Sequence, residues 1–299
     1  MSNYTHETVP TQFVEADGVR YSYRRFGRAG TVPLLFLGYS NSNMDAWDPA
    51  VTNGLAADHE VILFDNAGVG ASGGQTPHTV GEMTPHCVAF CRALGLKRIN
   101  VVGFSLGGMI ARQLALDHPD LVQRLILLGT APRGGEGLTF TELSPEEQAD
   151  PVAFLLAAFF SPSESSQAAG REYLERLESR KEERDLPVFR NSAVAQLAAI
   201  REWGAIPATN RYAALNKITH PAFIIHGNKD IVVGPINALI LAEHLPNAQL
   251  IVYSDSRHAA QLQHAKSFLQ HLNLFLSEEA SQISDADSVS GKSSVALAK

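Results

Sequence analysis

The chain has 299 residues, of which 45% are hydrophobic and 18% charged, a length and balance that can bury a large core. Its formal net charge of −7, with no run of lysine or arginine, excludes a surface made for nucleic acid. No uninterrupted apolar stretch reaches membrane-spanning length, and the first residues lack the basic-then-apolar order of a secretion signal.

Residues 11–26 read as a hairpin, with Phe13 and Val14 before the turn dipeptide Asp17-Gly18 and Val19, Tyr21 and Tyr23 alternating after it. The run 33–37 is apolar, as in a strand covered on both faces, and a polar loop, Gly38-Tyr39-Ser40-Asn41-Ser42-Asn43, follows. A helix is predicted over 47–57 and a second buried strand over 61–64. That strand runs into a glycine loop, Asp65 to Ser72, whose spacing matches no phosphate-binding motif and reads as a tight structural turn. The helix predicted over 80–94 carries Cys87 and Cys91; with no Cys or His cluster to complete a metal site, they read as buried thiols in a reducing, cytoplasmic setting.

A β-branched run, 99–102, precedes Gly103-Phe104-Ser105-Leu106-Gly107, and apolar residues recur at helical spacing from Met109. Strand, G-x-S-x-G and helix together fit a nucleophile elbow, a strained turn that lifts a serine into the open while glycines keep Cβ atoms out of the way. After another strand at 125–128 the alternation stops until 222–225. The interval, 132–215, holds an apolar segment around Phe154 to Phe160, a charged helix predicted over 171–184 and helical patterns at 192–203 and 210–215. Helices inserted between strands of one sheet read as a cap.

Beyond it come a strand at 222–225, a helix at 236–245, a strand at 249–253 and a last helix predicted over 258–276. The predicted organisation is an α/β core in two parts, 1–131 and 216–276, a helical lid over 132–215, and a disordered tail over 277–299.

Open parallel sheets carry function at the C-terminal ends of their strands. Two downstream ends supply the partners that Ser105 needs: Asp230 after strand 222–225 and His258 after strand 249–253, in the order Ser, Asp, His. His258 would take the serine proton, Asp230 would fix the imidazole, and the Leu106 N–H would be one oxyanion donor, the second coming from the loop after 33–37. Competing residues are Asp255, on the same loop as His258, and His226, expected to hydrogen-bond within its own turn. His264 and His271 are placed on the final helix as surface or packing residues, and Asp65 is given a structural role.

On the elbow, the Asp65…Gly68-x-Gly70-x-Ser72 loop, Gly227-x-x-Asp230 and His258, the chain resembles the α/β-hydrolase superfamily, in its lid-bearing esterase, epoxide-hydrolase and haloperoxidase-like branch. The resemblance implies a mostly parallel eight-stranded sheet with helices on both faces and a helical lid over Ser105. It also implies a second oxyanion donor at the Ser40 N–H, with Tyr39 as the alternative, although Gly38-Tyr39 replaces the family's His-Gly pair and Ala67 stands where arginine is common. A serine in place of aspartate at the elbow points away from dehalogenase and epoxide-hydrolase chemistry. The expected activity is that of a serine hydrolase, without cofactor or metal, on a small apolar carboxylic ester or lactone, with Phe154, Phe159 and Trp203 as pocket walls. Carbon–carbon bond hydrolysis and cofactor-free perhydrolysis stand as alternatives, and a non-catalytic ligand-binding protein as a third. The expected partner is a small-molecule substrate, with no nucleic acid or membrane, and a homodimer is compatible with the sequence.

Overall fold

The computed structural model describes residues 4–136, 150–205 and 211–278. The strands are β1 (Gln12–Ala16), β2 (Val19–Gly27), β3 (Leu34–Leu37), β4 (Glu60–Phe64), β5 (Ile99–Phe104), β6 (Val122–Leu128), β7 (Ala222–Gly227) and β8 (Ala248–Tyr253). They form one sheet in the order β1-β2-β4-β3-β5-β6-β7-β8. Only the β1/β2 and β2/β4 pairs are antiparallel. Asp17 and Gly18, at φ 50° and 79°, make the hairpin turn between β1 and β2, as this dipeptide favours.

The central strands are buried along their whole length, and alternate residues feed opposite faces. Leu35, Leu37, Ile62, Phe64 and Val101 pack on one side with α2 (Val80–Ala93), α3 (Leu106–Asp117) and α7 (Ile236–His244). Leu34, Phe36, Val61, Leu63, Val102 and Phe104 pack on the other with α1 (Pro49–Ala56) and α9 (Ala265–Ser277). Such two-sided burial explains why these strands are uninterrupted apolar runs in the sequence.

Between β6 and β7 lie α4 (Pro151–Phe159), α5 (Glu164–Leu177) and α6 (Arg190–Gly204). The start of α4 repeats that of α1: Asp150 accepts from Val152 N as Asp48 accepts from Ala50 N, with proline next in each case. Asp48 also receives Arg176 of α5, at 2.9 Å from Nε and 2.7 Å from Nη2, which docks the insert on the core.

Three boundaries differ from expectation. The charged helix predicted over 171–184 runs instead over Glu164–Leu177, because Ser163 caps it early by accepting from Ser166 N. The following Arg180 leaves the helix and is buried, donating to the carbonyls of His6 and Glu7. The last helix starts not at His258 but at α8 (Ala260–Gln263) and breaks at His264 before α9; the pattern at 210–215 gives a turn and a short 3-10 helix, Leu215–Lys217. The tail expected to be disordered lies, beyond 278, outside the described residues.

Candidate active site

Ser105 joins β5 to α3 at φ 53° and ψ −114°, a region that a side chain rarely occupies. Neighbours hold it there: its N–H donates to Leu128 O at 2.9 Å, and its carbonyl accepts from Thr130 Oγ1 at 2.8 Å. The glycines are required by contact. A Cβ on Gly103 would sit 2.5 Å from Gly107 O, and one on Gly107 would collide with Leu37 O. Gly108, which the motif reading did not single out, is equally constrained, since a Cβ there would meet Thr130 Cβ at 2.7 Å.

His258 and Asp230 come to the elbow from the loops after β8 and β7. His258 Nδ1 lies 2.8 Å from Asp230 Oδ2. A carboxylate only accepts here, so Nδ1 donates the hydrogen of that bond and Nε2 is the ring nitrogen left out of it. The other oxygen, Oδ1, accepts from the backbone N–H of Val232 and Val233 at 2.8 and 2.9 Å. Burial alone would raise the Asp230 carboxyl; the charge of His258 and hydrogen bonds from His226 and His258 outweigh it and hold the group well below the ordinary carboxylate range. The His258 ring is flanked by Phe104 and Phe159, with centroids at 5.0 and 5.7 Å.

The competing residues have other employment. His226 is buried, and its Nε2 lies 2.8 Å from Val233 O and 3.2 Å from Asp230 Oδ2, so it bonds within its turn and also to the acid. Asp255 receives Lys229 Nζ, Ser161 Oγ and Ser163 Oγ, and those hydrogen bonds, lysine's first, keep it ionised far into acid. It pins the turn between α4 and α5. His264 stacks on Tyr253 at 4.4 Å, and His271 is exposed on α9. Asp65 is buried beside Asp185 of the insert. Burial first, then that neighbouring carboxyl, raises it well above its ordinary range against the pull of Arg24 and Ser22.

Ser105 and His258 open into one cavity of about 500 Å³, a size suited to a small molecule. Phe154, Leu155, Ala158 and Phe159 of α4 form one wall. Tyr39, Ser40 and Asn41 form another. Leu106 N–H, first in α3, has no acceptor within its helix, as at any helix start. The loop carrying Ser40 is tied on both sides: Ser42 Oγ donates to Tyr39 O at 2.6 Å, and Asn41 N–H donates to Gln196 Oε1 of α6 at 2.7 Å. Gln196 escaped the sequence reading because nothing local marks a glutamine on a cap helix. Burial pushes the Tyr39 phenol up to about 12.

Trp203 is a correction: it is not among the residues lining the cavity. Its indole donates to Ala131 O at 3.1 Å, it packs in the core beside α3, and the guanidinium of Arg112 lies 5.1 Å from its ring. Helix α4 is joined to the His258 loop by consecutive contacts, Arg257 Nη1 to Ala157 O, His258 N–H to Ala158 O and Ala259 N–H to Phe159 O, the last two at 3.3 Å. Among the described residues no group of His, Cys, Asp and Glu could hold a metal ion, and no helix is long and apolar enough to cross a membrane.

Comparison with known proteins agrees with the geometry. The sequence model of the alpha/beta hydrolase fold family matches residues 33–265. The chain is 36% identical to an alpha/beta hydrolase fold protein of solved structure from Chitinophaga pinensis, with a TM-score of 0.87 over 92% of this chain and 100% of that one. It is 30% identical to the 2-hydroxymuconate semialdehyde hydrolase of Pseudomonas sp. (strain CF600), over 88% of this chain and 92% of that protein. A solved N-acyl homoserine lactone degrading enzyme, Est816, is 30% identical with a TM-score of 0.69, over 88% of this chain and 100% of the other. The chain belongs to the alpha/beta hydrolase fold family and is a hydrolase of that fold.

Proposed function

From that membership we propose that the chain is a serine hydrolase cleaving a small, largely apolar carboxylic ester or lactone through an acyl-enzyme on Ser105. The observation that carries the proposal is the arrangement of three residues: a strained serine and a buried histidine open into one cavity, and an ionised aspartate binds that histidine from behind. With Nδ1 bonded to Asp230, His258 Nε2 is the nitrogen left to accept the Ser105 proton and then to protonate the leaving alcohol. The tetrahedral oxyanion falls to the N–H groups of Leu106 and Ser40, with Tyr39 as the alternative second donor. Apolar side chains from α4 surround the reacting carbonyl and strengthen these electrostatic contacts by keeping water away. Phe154 and Phe159 then act as acyl-pocket walls.

The test is labelling with a fluorophosphonate followed by a chain-length series of p-nitrophenyl esters. Covalent modification of Ser105 and burst release of nitrophenol are expected. An unlabelled serine with no turnover of any ester would leave a ligand-binding role instead.

Carbon–carbon bond hydrolysis is the second reading, favoured by the likeness to the 2-hydroxymuconate semialdehyde hydrolase. It uses the same three residues, and ester turnover without cleavage of a diketone would reject it. Free, buried Cys87 and Cys91 suit a cytoplasmic setting.

A further inference from the structure

We infer that the acyl group accepted by this cavity is uncharged, and that the site discriminates against acyl chains ending in a carboxylate. The inference rests on the hydrolase reading above and names the substrate class within it.

The wall made by Pro151, Phe154, Leu155, Ala158, Phe159 and Val232 is apolar. Opposite it, Ser40 and Asn41 offer only neutral hydrogen bonding. Tyr39 turns its ring against Phe104 and Phe159, at 5.1 and 5.0 Å. Among the described residues the cavity's sole cation is His258 when protonated, and the reaction itself occupies that group.

The nearest bases on the same loops are engaged elsewhere. Arg257 is spent on Ala157 O and Lys229 on Asp255, 2.8 Å away. The sequence adds no replacement from the stretches of the insert outside the description. Residues 137–149 and 206–210 contain no Lys, Arg or His, and the first holds Glu142, Glu146 and Glu147.

A carboxylate entering this space would lose its water without gaining a partner, and would do so near the ionised Asp230. An unpaired charge in an apolar site is strongly disfavoured, whereas a methyl or an ester group of the same size is not. The Coulomb repulsion from Asp230 adds to that cost.

The experiment compares p-nitrophenyl hexanoate, the methyl ester of p-nitrophenyl adipate, and the p-nitrophenyl adipate monoanion, which share a six-carbon acyl chain. Both neutral esters are expected to exceed the monoanion in kcat/KM by on the order of 100-fold, mostly through KM. Leu155→Arg should narrow that ratio by about tenfold or more by supplying the missing cation. The same compounds are titrated into Ser105→Ala, so that charge selectivity is read as a Kd ratio even without turnover. Hydrolysis of no ester by the native protein counts against the hydrolase reading. A monoanion within about threefold of hexanoate, in kcat/KM or in Kd, overturns the inference.

Discussion

Asp65, at the end of β4, and Asp185, in the chain between α5 and α6, turn their carboxyl groups into the same small space, left open by the missing Cβ of Gly70. A side chain on Gly70, itself at φ 54°, would collide with Oδ2 of both. Two like groups so close cannot both ionise freely, and burial adds to the effect, so Asp65 is held well above its ordinary 3.8. Asp185 still has fixed partners, its Oδ1 accepting from Ala71 N–H at 2.9 Å and Leu186 N–H at 2.8 Å.

An acid whose folded pKa is raised binds its proton more tightly in the folded state; that contribution is complete below 3.8 and is lost as pH rises through the folded value. Asp185→Asn removes one charge, keeps the Oδ1 acceptor and offers Asp65 a donor. It should raise the unfolding free energy at pH 8 by on the order of 1 kcal/mol, with the gain fading toward pH 4. Urea titrations at both pH values check this. A variant less stable than the native protein at pH 8 would contradict it.

Asp230 has the opposite sign. Its depressed pKa contributes stability above 3.8 that is lost as the pH falls below it. Asp230→Asn should therefore flatten the acid side of the stability curve while cutting kcat by roughly 10⁴-fold. Asp255→Asn should change kcat little, since its partners are Lys229, Ser161 and Ser163 rather than the imidazole. Reversal of the two kinetic effects would mean that the acid has been misassigned.

Ser105→Ala should lose on the order of 10⁴–10⁶ in kcat while keeping a native circular dichroism spectrum. The backbone at this position is held by Leu128 O and Thr130 Oγ1, not by the serine hydroxyl. Substantial activity in a folded variant would remove the elbow from the mechanism.

Two glycines separate packing from propensity. Gly107→Ala drives a methyl into the Leu37 carbonyl and should cost several kcal/mol or prevent folding, because backbone must move on both sides. Gly81→Ala, near the start of α2 with nothing within 4 Å, should stabilise by up to about 0.5–1 kcal/mol. Thermal melts of the pair distinguish them.

The two phenylalanines of the α4 wall should not behave alike. Phe154→Ala is expected to shift chain-length preference with little change in kcat on the best ester. Phe159→Ala should also lower kcat, since this ring packs on the His258 imidazole at 5.7 Å. Steady-state kinetics over the ester series would show equal kcat losses if the distinction were wrong.

The sheet was legible in the sequence because two-sided burial writes apolar runs such as those at 33–37 and 61–64 directly into the chain. The elbow was legible because its strain demands glycines at fixed offsets. That Asp230 and His258 meet near Ser105 was legible because the loops after parallel strands leave the sheet at one edge. Other features depend on distance through space. The Trp203 indole, judged by residue type, was expected in the cavity but finds its acceptor at Ala131, 72 positions earlier. Arg180 falls within the charged helix predicted over 171–184, yet it lies past the helix end and its guanidinium satisfies carbonyls of the N-terminal segment. Gln196 and Asp185 carry no local signature, because each is defined by the loop against which it docks.

The paired contacts between residues 157–159 and 257–259 bear on how the site can be diversified. Backbone carbonyls of the wall hold the loop that presents the imidazole, so a displacement of α4 is transmitted to His258. A library randomised along that helix would enrich for catalytically impaired clones before it broadened acceptance. Asn41, on the opposite wall and exposed, is a narrower target than its exposure suggests: its φ of 64° favours asparagine or glycine, and its N–H holds Gln196, so changes tolerated there in a selection experiment should be few.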